Sequence, residues 1–311
     1  SQRCNAACPQ CSRHPTGSYF LSPSLNDNVF WTLDQVTKHL PYEDLKNIQN
    51  IHYNGTRGDW ITNPEALEIT KYFNQANDNL VSTINTNGSA RKPEWWRELA
   101  KISRLKVNFA IDGLEDTNHL YRRRTSFNTI IENAKAFTDA GGVAEWHMIV
   151  FDHNKHQIEE CRALSKELGF SKFVFRYTDR KDVVVLDKEA KPEYVIRAVN
   201  KDGTLKTPNA IRDFQIVDHV MKMRKTEQRL RNGTYVPSKV DESQISSISE
   251  PKELCESLRD KSVYISSDWS VMPCCFLGEV LNAKSEDRRY DNFERSVGEA
   301  GKTSNDFKCS T

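Results

Sequence analysis

The feature that most constrains this chain is a run of three cysteines near its start, Cys4, Cys8 and Cys11, in the spacing Cys-x-x-x-Cys-x-x-Cys. Three thiolates on one short loop can hold three corners of a cubane 4Fe–4S cluster and leave its fourth iron without a protein ligand, open to chemistry. A structural metal site would instead close its shell with a fourth Cys or His. His14, three residues past Cys11, is the nearest candidate, so a Cys3His zinc site is the main alternative, with a disulfide framework behind it.

The chain has 311 residues, enough for one large domain and a small one. Lys and Arg number 44 against 43 Asp and Glu, a net charge of +1. So even a balance supplies no global field to recruit nucleic acid or an anionic membrane, and neither is expected as a partner. No apolar run approaches the ~18 residues of a spanning helix and no signal peptide precedes the cysteines, so the expected location is the cytoplasm. Thiols in that reducing compartment serve more often as metal ligands than as disulfides. The eight cysteines gather at the two ends, Cys4, Cys8 and Cys11 at one and Cys255, Cys274, Cys275 and Cys309 at the other, with Cys161 between, which suggests two metal centres.

Between these ends the periodicity alternates. Strands are predicted at 48–53, 80–84, 106–111, 143–151 and 172–177, with helices at 31–40, 64–73, 93–102, 127–138 and 157–168. Strands recurring about every thirty residues with helices between them argue for βαβ units and a parallel sheet, whose chemistry gathers at the carboxyl ends of the strands. The informative loops all stand there: Gly55-Thr56-Arg57-Gly58-Asp59, Asn85-Thr86-Asn87-Gly88 and Asp112-Gly113.

With the cysteine triplet, written RCNAACPQC, these loops resemble the radical S-adenosylmethionine (radical SAM) enzymes. The resemblance implies a partial (β/α)6 barrel over residues 1–177, its first strand missing ahead of Cys4, so that the sequence is expected to be incomplete at its N-terminus and clipped at its C-terminus. It implies that Cys4, Cys8 and Cys11 bind the catalytic cluster, whose open iron chelates S-adenosylmethionine, and that an electron then cleaves the cofactor to a 5′-deoxyadenosyl radical that takes hydrogen from a substrate. Gly58 and Asp59 stand where the family carries Gly-Gly-Glu-Pro, with Asp59 for Glu and Trp60 for Pro. Asn87 falls in the Thr-Asn-Gly that ends the third family strand. Ala110 replaces a hydroxyl of the fourth, where Asn108 is expected to substitute. Arg122 takes the place of the arginine that pairs with the methionine carboxylate, a task its two-pronged donors suit. For Arg123 and Arg124 a solvated helix face is the competing reading.

Other residues have plainer readings. Cys161 lies on the stripe Ile158, Cys161, Leu164, Leu168 and reads as core, and Trp95-Trp96 as helix packing. His147 reads as a hydrogen-bonded core histidine, His153 and His156 as loop surface. Residues 178–254 read as a connecting region of unassigned role, with a strand at 183–186, a helix at 210–230 and a Ser-rich linker at 238–249. From Cys255 a short hairpin, 263–275, leads to Pro273-Cys274-Cys275. That arrangement resembles the SPASM or twitch module that carries an auxiliary cluster in many radical SAM enzymes, and it implies a C-terminal domain over 255–311 in which Cys255, Cys274, Cys275 and Cys309 bind an auxiliary 4Fe–4S cluster. The function implied is hydrogen abstraction from a peptide or protein, or alternatively from a small molecule such as a sugar or nucleotide, with flavodoxin or ferredoxin as electron donor.

Overall fold

The computed structural model describes residues 1–206, apart from 15, 16, 23, 24, 26–28, 56 and 181, together with 264–265 and 271–272. The chain divides into two compact units, Ser1–Met223 and Arg224–Thr311. The expected helix at 210–230, the linker at 238–249 and Cys255, Cys274, Cys275 and Cys309 lie outside the described residues.

The first unit is built on five strands, β1 (Asn50–Tyr53), β2 (Val81–Thr86), β3 (Leu105–Ala110), β4 (Val143–Val150) and β5 (Lys172–Tyr177), in the order of the chain. Every neighbouring pair is parallel. Helices α1 (Leu33–His39) and α2 (Tyr42–Leu45) precede the sheet. The crossovers then carry α3 (Ala66–Ala76), α4 (Pro93–Ala100), α5 (Glu115–Tyr121) with α6 (Phe127–Asp139), and α7 (Ile158–Glu167). The helix starts are locally encoded. Thr32 and Gln35 form a reciprocal capping box at α1, Pro93 opens α4, and the Ser126 hydroxyl accepts from Thr129 N at α6.

One face of the sheet is the core. Tyr53 on β1 meets Phe73 of α3 with ring centroids 6.4 Å apart. Phe109 on β3 lies 5.1 Å from Trp96 of α4 and 6.2 Å from Phe137 of α6. Arg162 of α7 covers Phe173 of β5 at 5.1 Å. These helices share one side, so a sheet in chain order is wound in a single sense, the outcome when each crossover repeats the same right-handed turn. Cys161 is fully buried, as its stripe predicts, and its burial pushes the thiol up to about 12. Trp96 is fully buried too.

The opposite face is polar because side chains alternate along each strand. Asn85 stands opposite Asn108, and Asn108 opposite Glu145. The amides form a chain, Asn108 Nδ2 donating to Asn85 Oδ1 at 2.8 Å and Asn85 Nδ2 to Asn54 Oδ1 at 2.9 Å. Glu145 bridges Lys106 Nζ at 3.1 Å and His147 Nε2 at 2.9 Å, so His147 is hydrogen-bonded as expected but half-buried on the polar face.

Among the described residues, α2, α5 and a strand β7 (Pro192–Ile196), which pairs antiparallel with β6 (Val183–Leu186), escape the periodicity. Helices of one or two turns have too little pattern to read and depend on packing for stability. His153 also departs from the surface reading: its ring stacks on Phe151 at 5.6 Å and its Nε2 is buried. In the second unit, the expected hairpin contains β8 (Tyr264–Ile265) and β9 (Val271–Met272), paired antiparallel.

Candidate functional site

The cysteine loop sits where strands β2 and β3 end. Its entry is fixed by Gly58: a Cβ there would collide with the Ser1 carbonyl oxygen, so only glycine admits the close approach. Beside it, Asp59 N donates to Arg3 O at 2.7 Å, and the Thr62 hydroxyl donates to the same oxygen at 2.8 Å. Cys8 is buried among Ala6, Tyr121, Phe151, Val185 and Ile196, with Cys4 and Cys11 packed against the same cluster. Val185 and Ile196 come from the β6–β7 hairpin, so part of the connecting region walls the site.

Two buried carboxylates back this loop. Asp59 Oδ2 accepts from Thr86 Oγ1 at 3.0 Å, from Asn87 N at 2.8 Å and from Asn87 Nδ2 at 2.8 Å. The same Asn87 Nδ2 lies 3.0 Å from Asn5 Oδ1 and 3.7 Å from Cys4 Sγ. Asp112 Oδ2 accepts from Arg122 Nε at 2.6 Å, its Oδ1 accepts from Ile149 N at 2.6 Å, and Arg122 Nη1 donates to Cys8 Sγ at 3.6 Å. Burial pushes both carboxyls up, opposed at Asp59 by its hydrogen bonds and at Asp112 by Arg122 and Ile149 N. Burial alone would weaken the Arg122 cation, but Asp112 and then Cys8 outweigh it and hold the guanidinium charged.

Burial also pushes the Cys4 and Cys8 thiols up; Asp59 adds to this at Cys4, while Arg122 works against it at Cys8. Thiolates here therefore need a positive partner, which a metal centre supplies. Among the described residues no three His, Cys, Asp or Glu side chains converge tightly enough for a single metal ion. What bears on the Cys3His zinc alternative is His14. Its Nδ1 lies 3.1 Å from Phe20 O and its Nε2 3.3 Å from Ala6 O, so both ring nitrogens face backbone carbonyls. Its pKa is lowered to about 4, chiefly by burial. Three cysteines on one short loop, with N–H donors beside two of their sulfurs, could hold a multi-iron cluster, where each thiolate binds a different iron.

Cys4, Cys8, Cys11, Asp59, Asn87 and Arg122 thus come together. Gly58 contributes by its closeness to residue 1. Asn108 belongs to the amide chain on the polar face, where its Oδ1 is buried without a partner. Sequence reasoning passed over two residues. Asp112 had a signal in the Asp-Gly after β3. Arg123, for which a solvated face competes on sequence, is buried: Nε donates to Ala7 O at 2.9 Å, Nη1 to Leu186 O at 2.8 Å, and Nη2 to Ser18 O at 2.8 Å and Gly17 O at 3.2 Å. Arg124 stacks over Tyr19 at 4.1 Å.

No known protein family matches the chain. No curated protein matches it either. Solved structures do. Streptococcus suis SuiB bound to the precursor peptide SuiA superposes with a TM-score of 0.51 at 13% identity, over 92% of this chain and 59% of that one. SuiB bound to S-adenosylmethionine gives a TM-score of 0.50 at 14% identity, over 88% of this chain and 56% of that one. Native anSMEcpe with bound AdoMet and Cp18Cys peptide gives 0.47 at 18% identity, over 89% and 72%. The chain spans less than three fifths of SuiB's length, and at these identities what it shares with SuiB is the parallel α/β fold.

Proposed function

We propose that this chain is a radical SAM enzyme. The observation that carries the reading is the cysteine loop at the carboxyl ends of a singly wound parallel sheet, with carboxylate-backed donors on Cys4 and Cys8. SuiB, which shares the fold, is solved with S-adenosylmethionine bound, in keeping with the reading. The five parallel strands with helices on one face support the partial (β/α)6 barrel. Cys4, Cys8 and Cys11 would hold the 4Fe–4S cluster. When bound with S-adenosylmethionine, the cluster supplies an electron whose transfer generates a 5′-deoxyadenosyl radical that removes hydrogen from the substrate.

The chain's own residues shape the site for this. Asp59 orients Asn87 across Cys4, and the Asp112–Arg122 pair places a fixed cation beside Cys8. The wall of Tyr121, Phe151, Val185 and Ile196 keeps water from buried Cys8, which raises the strength of the charge beside it. Arg122, whose Nε and Nη1 are already engaged by Asp112 and Cys8, is the residue proposed to meet the carboxylate of S-adenosylmethionine. A peptide or protein is the proposed substrate, in keeping with the precursor peptide bound in the SuiB complex. Flavodoxin or ferredoxin is the proposed electron donor, and Cys255, Cys274, Cys275 and Cys309 the proposed ligands of an auxiliary cluster.

The test is anaerobic reconstitution with iron and sulfide, followed by reduction with S-adenosylmethionine present. Formation of 5′-deoxyadenosine is expected in the parent protein, and its loss in Cys4→Ala, Cys8→Ala and Cys11→Ala. Substantial cleavage by any of these three variants would sink the reading, since each removes one of the three protein bonds to the cluster.

A further inference from the structure

The arrangement around the cysteine loop has a repeated logic. Each of two sulfurs lies beside a side-chain donor anchored by a buried carboxylate: Asp112 to Arg122 to Cys8, and Asp59 to Asn87 to Cys4, where one Nδ2 hydrogen binds Asp59 and the other is shared between Asn5 Oδ1 at 3.0 Å and Cys4 Sγ at 3.7 Å. The two anchors are rigid. Asp59 has three donors on one oxygen from the β2 end, and Asp112 takes the Ile149 backbone N–H on the oxygen that Arg122 leaves free. A donor held in this way cannot turn to water, so it acts on the sulfur as a fixed dipole or charge.

We infer that Asn87 and Arg122 are positioning residues that set the reduction equilibrium of the iron–sulfur cluster by donating to the sulfurs of Cys4 and Cys8. The inference rests on the proposed cluster. Reduction adds one electron, from a one-electron reductant, and with it one negative charge to the iron–sulfur cage and its thiolates. Donors on the sulfurs favour the more negative form, as hydrogen bonding and local charge do for clusters generally. The two chains differ in charge. Asn87 is a neutral donor, whereas Arg122 is a full cation whose field is partly cancelled by Asp112 at 2.6 Å. Removing the cation and removing its anion must therefore move the equilibrium in opposite directions.

That sign reversal separates tuning from mere support, because a structural role would make both variants worse in the same way. The experiment is a potentiometric titration with dithionite of the reconstituted full chain, followed by EPR, without S-adenosylmethionine. The triple Cys255→Ala, Cys274→Ala, Cys275→Ala background leaves the N-terminal cluster as the signal. Arg122→Gln is expected to make reduction at least tenfold less favourable, a shift of 59 mV to lower potential for one electron. Asp112→Asn is expected to shift it to higher potential, and Asn87→Ala to lower potential by less than Arg122→Gln. If Arg122→Gln fails to hold iron, Asn87→Ala and Asp112→Asn carry the comparison. Unchanged potentials, or shifts of one sign for Arg122→Gln and Asp112→Asn, would overturn the inference while the cluster stands. A parent protein with no iron and no reduced-state EPR signal would overturn the proposed function itself, and the inference with it.

Discussion

Replacing Arg123 by Met tests how the cysteine loop is held. The guanidinium reaches four carbonyl oxygens, those of Ala7, Gly17, Ser18 and Leu186, at 2.8 to 3.2 Å, and so ties the loop to the following turn and to β6. Met has a similar apolar stem and no donor, so the change removes the bonds without opening a large hole. Hydrogen bonds from a charged group contribute at least about 1.5 kcal/mol each. Four of them set about 6 kcal/mol against the few kcal/mol recovered by no longer burying a guanidinium, an opposing effect strong enough here to lower its basicity. The net loss is about 3 kcal/mol. Arg123→Lys is expected to restore only part, because a single ammonium cannot span the same four acceptors. Urea unfolding of the metal-free chain measures the loss, and amide hydrogen exchange at Ala7, whose N–H donates to Arg123 O, reports whether it is local to the loop. A Met variant within 0.5 kcal/mol of the parent, by the limit usual for ordinary surface changes, or full rescue by Lys, would refute the clamp.

Three further outcomes are expected. Trp96→Ala empties the space between Phe109 and Phe137 and should destabilise the first unit by about 3–5 kcal/mol, read by urea unfolding; a loss below about 1 kcal/mol would mean the aromatic layer is not the core. His153, its pKa lowered to about 4 by burial against Phe151, should bind its proton more readily when unfolded. Its contribution to stability should therefore be flat above pH 6.5 and fall as pH drops toward 4, by about 2 kcal/mol with its partial exposure discounted, and His153→Phe should remove that part of the slope while His14, lowered likewise, keeps its own. The Cys4→Ala, Cys8→Ala, Cys11→Ala triple variant should keep about four irons after reconstitution if the C-terminal cysteines hold an auxiliary cluster, and the parent about eight; a triple variant without iron would leave those cysteines without their proposed metal.

Much of the fold was legible because strands and helices of ordinary length announce their buried faces. The stripe Phe127, Ile130, Ile131, Ala134 and Phe137 predicts α6, where Ile130, Ala134 and Phe137 are buried and Phe127 and Ile131 partly so, and Cys161 predicts its own burial. Position along the alternation also placed Asn87 and Asp112 at strand ends, where loops converge on one rim of the sheet. The sequence by itself therefore determined the periodic elements, their parallel arrangement and the spacing of Cys4, Cys8 and Cys11 on one short loop. It could not determine what each polar side chain would meet. Arg122 and Arg123 are neighbours in an Arg triplet with no periodic clue to separate them, yet one pairs with Asp112 beside Cys8 and the other clasps four carbonyls. Likewise His14 stands three residues past Cys11, at a metal-ligand spacing, but the turn brings Phe20 O and Ala6 O to its two nitrogens. Those contacts join residues up to 116 positions apart, as between Arg123 and Ala7. Only the tertiary structure decided them, because hydrogen-bond partners depend on directions and distances between elements, whereas periodicity records only which side of one element is buried.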